Sequence, residues 1–98
     1  MMVNSQITAW QKRTGYDEAG QPVLAQQPGG PWAVLSEPLR KRVKLGEREL
    51  ISSLRIHLKA NPGIAQGDRV TIFGEERQVL AASPTIHRTL GHATLLLG

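Results

Sequence analysis

Ninety-eight residues, 40% hydrophobic and 20% charged, make one small globular domain and argue against wholesale disorder. With no cysteine, disulfides and thiolate metal sites are excluded, and no apolar run approaches the length of a membrane span. Twelve Lys and Arg against eight Asp and Glu give a net charge of +4 and a pI near 10.1, which raises nucleic acid as a partner.

Residues 1–5 carry no pattern and are expected to be a loose N-terminus, without the apolar region of a signal peptide. The chain is therefore expected to be soluble and cytoplasmic where it is made. Residues 6–12 suit a strand, with Ile7 and Ala9 facing one way and Thr8 and Trp10 the other. Asp17-Glu18-Ala19-Gly20 reads as a turn, Gly20 supplying a positive φ. Pro22-Val23-Leu24 can pair briefly before Gln26-Gln27-Pro28-Gly29-Gly30-Pro31 forms an irregular loop.

Trp32-Ala33-Val34-Leu35 reads as another strand, and Pro38 demotes the residues after it to an edge or a loop. Residues 39–49 hold Arg40, Lys41, Arg42 and Lys44 in a weakly apolar background. Either an excursion or a strand-turn-strand hairpin would fit; the stretch 36–49 is taken as a flexible basic loop, with Gly46 in a mobile segment.

The next stretch organises the chain. Leu50, Ser52, Leu54, Ile56 and Leu58 alternate with Ile51, Ser53, Arg55, His57 and Lys59, the period of a half-buried strand. Asn61-Pro62-Gly63 ends it. Gly67-Asp68 leads into Arg69-Val70-Thr71-Ile72-Phe73, Gly74-Glu75 turns the chain, and residues 77–82 return. Gly67 and Gly74 are placed at turns, at least one with positive φ. Residues 85–87 can extend that strand, Leu90-Gly91 turns, and Ala93, Leu95 and Leu97 alternate in a last strand.

No window carries helical periodicity free of proline or glycine. The expected fold is all-β: a small antiparallel β-barrel or sandwich of about six short strands with one long charged loop, residues 1–98 forming a single domain. Its core should contain Leu54, Ile56, Val70, Ile72 and Val79, with Trp10, Trp32, Phe73 and Tyr16 as its few large pieces.

Chemistry is scarce. His57, His87 and His92 lack the spacing and company of a zinc site and read as surface histidines. Asp17-Glu18 and Glu75-Glu76 lie in turns, where paired carboxylates stay solvated. Ser52-Ser53 lacks a nucleophile elbow, and no glycine-rich loop leads into a helix. Catalytic residues, metal and cofactor are all expected to be absent. The basic run can serve phosphates or an acidic partner, or be a solvated loop; Leu39, Val43 and Leu45 among the charges favour some use. A stacking surface for single strands would need aromatics beside it, and Phe73, sharing a strand face with Arg69, is the one candidate.

Taken in order, the first strand, the Tyr16-Asp17-Glu18-Ala19-Gly20-Gln21-Pro22-Val23 turn and a strand with a charged excursion form the first half of a pattern. Glu49-Leu50-Ile51-Ser52-Ser53-Leu54-Arg55-Ile56-His57-Leu58, Pro62-Gly63-Ile64, Gly67-Asp68-Arg69-Val70 and Arg77-Gln78-Val79-Leu80 complete it. Over residues 6–82 the chain resembles the small head-completion proteins of tailed bacteriophages, called head closure, stopper or head–tail joining proteins. The resemblance implies a non-enzymatic β-barrel in a ring of about six or twelve copies. A portal-adaptor ring would lie above it and tail terminator or tail tube proteins below. Packaged double-stranded DNA would run in the channel, and Arg40, Lys41, Arg42 and Lys44 would lie on the channel wall or against the adaptor. It also implies a place in the neck of the virion, with assembly in the host cytoplasm and no membrane. The alternative is a monomeric nucleic-acid-binding barrel of the OB or SH3-like type.

Overall fold

In the computed structural model, which describes residues 3–83 and 93–98 with the side chain of Leu45 set aside, the alternating segments are strands. They are β1 (Ser5–Tyr16), β2 (Pro22–Gln26), β3 (Trp32–Leu45), β4 (Arg48–Leu58), β5 (Arg69–Ile72), β6 (Glu75–Ala82) and β7 (Ala93–Leu97). The sheet runs β2-β1-β3-β4-β7-β6-β5, every pair antiparallel, and β1 also pairs with β5. That last pairing joins β5, one end of the sheet, back to β1, so six strands close into a barrel and β2 rides on the C-terminal half of β1. Closure removes the bare edges that an open sheet would expose.

Period-two alternation fills the barrel. Leu54, Ile56 and Leu58 of β4 meet Val70 and Ile72 of β5, Val79 of β6, and Ala93, Leu95 and Leu97 of β7, all buried. The five core residues expected from sequence are among them. Ile7 and Trp10 of β1 are both buried, although they are three residues apart. The register of β1 against β5 shifts between Ile7 and Ala9, and this bulge resets which face is inward. Simple alternation, which set Trp10 opposite Ile7, fails there for that reason.

Asp68 is the buried charge that ties the barrel's end. It is 2% exposed, and its carboxylate accepts hydrogen bonds from Trp10 Nε1 (2.9 Å), the Arg13 amide (3.0 Å) and the Ala65 amide (3.0 Å). Lys12 Nζ stands 3.7 Å from the same group. Trp10 in turn packs edge-to-face on Trp32, with ring centres 6.0 Å apart.

Several expectations are corrected. Strands β1, β3 and β4 are long, not short; among the described residues seven strands are seen where about six were expected, in the expected all-β antiparallel fold. The N-terminus is pinned from Asn4 onward: Asn4 Oδ1 accepts from the Ser36 amide (2.8 Å), and Asn4 Nδ2 donates to Ser36 O (2.9 Å). Residues 36–49 are not a loop. Residues 36–45 continue β3, Gly46-Glu47 is a two-residue turn, and β4 begins at Arg48. Gly46 has φ 66°, so it closes a hairpin where a mobile segment was expected. Pro38 sits inside β3, and the register against β4 shifts between Pro38 and Lys41. Its missing N–H is tolerated because β1 pairs with β3 only as far as Val34, which leaves that edge bare beyond. The suggested strand extension at 85–87, the turn at Leu90-Gly91, His87 and His92 lie outside the described residues.

Gly20 (φ 79°), Gly67 (φ 93°) and Gly74 (φ 74°) occupy the expected turns. At the last of these the loop is Phe73-Gly74, because Ile72 pairs with Glu75. Both residues have positive φ, the requirement of a type I′ turn, which favours Asn-Gly. Phe73 at φ 54° is 61% exposed, so it bears left-handed strain with little burial in return. Phe73→Asn should therefore stabilise the chain by about 1 kcal/mol, read as a higher urea midpoint with an unchanged slope. A lower midpoint would mean that the phenyl ring packs on the barrel.

Candidate functional site

Beyond the barrel, β3 and β4 go on as a two-stranded ribbon. Lys41 pairs with Ser52, Arg42 with Ile51, Val43 with Leu50, Lys44 with Glu49 and Leu45 with Arg48. Strand β7 covers β4 only from Leu54 to Leu58, and β1 covers β3 only from Trp32 to Val34. Both outer edges of the ribbon are thus without a paired strand among the described residues. The Val43–Leu50 pair is half-buried, which explains why apolar residues interleave with the charges. A Gly at the first position of a two-residue loop was the signal for this hairpin, and the basic run obscured it.

Strand geometry splits the run. Cross-strand partners share a face, so Arg42 and Ile51 lie together, with Lys44 and Glu49 next to them. Lys41, opposite Ser52, takes the other parity, just past the register shift. Arg40, Lys41, Arg42 and Ile51 together line a small hollow of about 210 Å³. All four cations are exposed, and Ile51 is 49% exposed.

Four cations elsewhere behave differently. On the barrel wall Lys12 pairs with Asp68, Arg55 with Glu37, Arg69 with Glu76 and Arg77 with Glu75. Among the described residues Arg40, Lys41, Arg42, Lys44 and Arg48 on the ribbon, Arg13 on β1 and Lys59 lack a carboxylate within 4 Å. Glu47 and Glu49, also on the ribbon, bridge none of its cations at that distance.

His57 is more than a surface histidine. Its side chain is 12% exposed, with Nε2 2.7 Å from Glu37 Oε1 and Nδ1 3.4 Å from Thr94 Oγ1. Arg55 Nη1 reaches the same Glu37 oxygen at 3.4 Å. The hydrogen bond from His57 holds the Glu37 carboxyl below its usual range, with lesser help from Arg55 and against partial desolvation. A depressed carboxyl stabilises the fold above its unfolded value and loses that contribution as pH falls through the folded one. Urea midpoints of the native chain should therefore drop more steeply than those of Glu37→Gln as pH falls through and below the carboxylate range. Parallel profiles would show the pair to be idle.

The other candidates disperse. Asp17 is the hub of its turn, with Oδ1 accepting from the Ala19 and Gln21 amides at 3.0 and 2.8 Å. Ser52 is buried and donates to Leu97 O at 2.8 Å, so it is structural. Phe73 lies in a turn and not on a strand face, and Tyr16 is exposed at the far end of β1, so neither forms part of a stacking sheet face. Among the described residues no group of three His, Cys, Asp or Glu could hold a metal ion, and no helix is long and apolar enough to cross a membrane.

A second feature was missed from sequence. Where the ribbon tip meets the barrel's end lies a cleft of about 590 Å³, lined by Arg13, Tyr16, Gln21, Arg48, Gln66 and Gln78 among others. These residues come from four segments far apart in the chain, so only closure of the barrel brings them together.

No family model matches this chain, and no curated protein matches it.

Proposed function

We propose that the chain is a non-enzymatic structural subunit of a phage head–tail connector, a head-completion or stopper ring. In this role it helps to retain packaged DNA and offers the tail its docking surface. The support is the order of sequence pieces over residues 6–82, together with a closed barrel that extends a ribbon of unpaired cations. That ribbon is the observation that carries the reading. Clustered like charges repel, and four cations of the barrel wall each have a carboxylate partner, so a cluster of cations without one calls for an anion from outside. DNA phosphates in a channel or carboxylates on a neighbouring ring both qualify. The neighbours in this reading are further copies of the chain, an adaptor ring and tail proteins.

The stacking alternative is weaker, because the aromatics are either packed on each other at the core, as buried Trp10 and partly buried Trp32 are, or isolated in exposed positions.

Changing Arg40, Lys41 and Arg42 together to Ser should leave the melting temperature nearly unchanged, since exposed charges seldom contribute more than about 1 kcal/mol each. In a complementation assay the same variant should lower the yield of infectious particles, with heads that leak DNA or fail to join tails. Normal yield would make the ribbon an ordinary solvated hairpin. A collapsed melting temperature would mean that its cations serve the fold.

A further inference from the structure

The cleft beneath the ribbon tip has one arginine on each side. Arg13 reaches it from β1 on the barrel, and Arg48 from the first residue of β4 on the ribbon. Neither has a carboxylate within 4 Å, unlike the barrel-wall cations Lys12, Arg55, Arg69 and Arg77. We infer that the cleft is a clamp for the phosphates of a nucleic-acid backbone, closed by Arg13 and Arg48. The inference rests on the proposed connector role for the presence of nucleic acid beside the ribbon.

Arg13 is already positioned. Its Nη1 donates to Tyr16 Oη at 2.7 Å, and its guanidinium carbon lies 5.3 Å from the centre of the Tyr16 ring. Gly67 makes the room: a Cβ there would fall 2.6 Å from Arg13 Nη1 and 2.7 Å from the guanidinium carbon. The glycine thus serves the turn through its φ and seats the arginine through its missing side chain. A guanidinium has five N–H donors, and one bond to a tyrosine hydroxyl leaves most of them for a ligand. Holding the group before binding reduces the rotamer entropy lost on binding.

The rest of the lining suits an anion with several oxygens. Gln21 and Gln78 add neutral amides, while the Gln66 amide is spent on Leu80 O at 3.0 Å. Among the described residues no carboxylate lines the cleft, and nearby Asp17 is occupied with the amides of its own turn. Of the ribbon's other cations, Lys41 shares the face of Arg48 by register, whereas Arg42 and Lys44 take the opposite face, so a ligand with repeated charges can run from Arg48 toward Lys41. A phosphodiester backbone has that repetition, and guanidinium forks match its oxygens in pairs.

The test is fluorescence anisotropy of a short labelled DNA duplex with the full chain across a salt series. Arg13→Gln and Arg48→Gln should each weaken binding by roughly fivefold to tenfold. Each should also flatten the log–log salt slope by about 1. Arg13→Lys, which keeps the charge without the fork, should recover only part of the loss. Both arginines are exposed, so superimposable melting curves should accompany these losses. Unchanged affinity and slope in both variants would overturn the clamp. If Lys41, Arg42 and Lys44 changed to Ser weaken binding while the clamp variants do not, the clamp fails and the ribbon reading stands. If the native chain binds no duplex, the clamp fails, and the ring reading is left to the particle-yield assay. Poly-glutamate competing as well as unlabelled duplex at equal charge would reduce the cleft to a general anion site and reject the assignment. So would tight binding of inorganic pyrophosphate, dependent on both arginines, without binding of the duplex.

Discussion

Asp68→Ala should destabilise the chain by on the order of 3–5 kcal/mol, more than any other single polar change. The carboxylate accepts from the Trp10 indole and from the amides of Arg13 and Ala65, and all three donors meet it at a site 2% exposed. Removing it leaves the buried Trp10 indole and the part-buried Arg13 and Ala65 amides without that acceptor, at up to about 1–3 kcal/mol for each donor cut off from water. The total is held below the sum because two of the three donors are only part-buried and can turn to water. Set against about 5–15 kcal/mol for a whole domain, such a loss threatens folding at physiological temperature. Urea denaturation monitored by tryptophan fluorescence should report it directly, since Trp10 is itself a partner. A loss below about 1 kcal/mol would show that the carboxylate does not anchor the barrel's end.

Ile56→Ala should cost about 2–5 kcal/mol. Ile56 is fully buried on β4, between Ser36 of β3 and Leu95 of β7, and its neighbours belong to a closed barrel that cannot readily collapse into the void. Ile51→Ala, five residues back on the exposed ribbon, makes the natural control and should cost under about 0.5 kcal/mol. Similar chemical-denaturation midpoints for the two variants would mean that β4 is buried along its whole length or along none of it.

Both predictions depend on how each residue's burial can be read. Ile56 was legible because period-two alternation runs unbroken through residues 52–58 and again through β5 and β7. Asp68 was not, because a single acid after a glycine looks like any turn. Its value depends on Trp10 and Arg13, more than fifty residues away in sequence. Trp10 was put on the wrong face because one extra residue at the β1 bulge inverts parity, and composition carries no trace of it. The ribbon was legible only in part. Its apolar interleaving and Gly46 signalled a hairpin, but Pro38 and four cations signal a loop equally well, and the choice turns on which edge of β3 is left bare. The cleft with Arg13 and Arg48 could not be seen at all, since barrel closure alone brings its walls together. Phe73 shows a local preference overruled: an aromatic in a β-rich stretch reads as strand, yet the two-residue loop forces it into the left-handed region.

The central claim is that a self-sufficient barrel carries a ribbon retained for an outside partner. Hydrogen–deuterium exchange on the isolated chain tests it most directly, by comparing β4 within itself. Residues 54–58 lie between two strands and should exchange only on global unfolding. Residues 48–53 are paired on one side alone and should exchange orders of magnitude faster, through local opening of the ribbon. Uniform slow exchange along all of β4 would contradict the claim, because the ribbon would then be part of the cooperative core and its cations part of the fold.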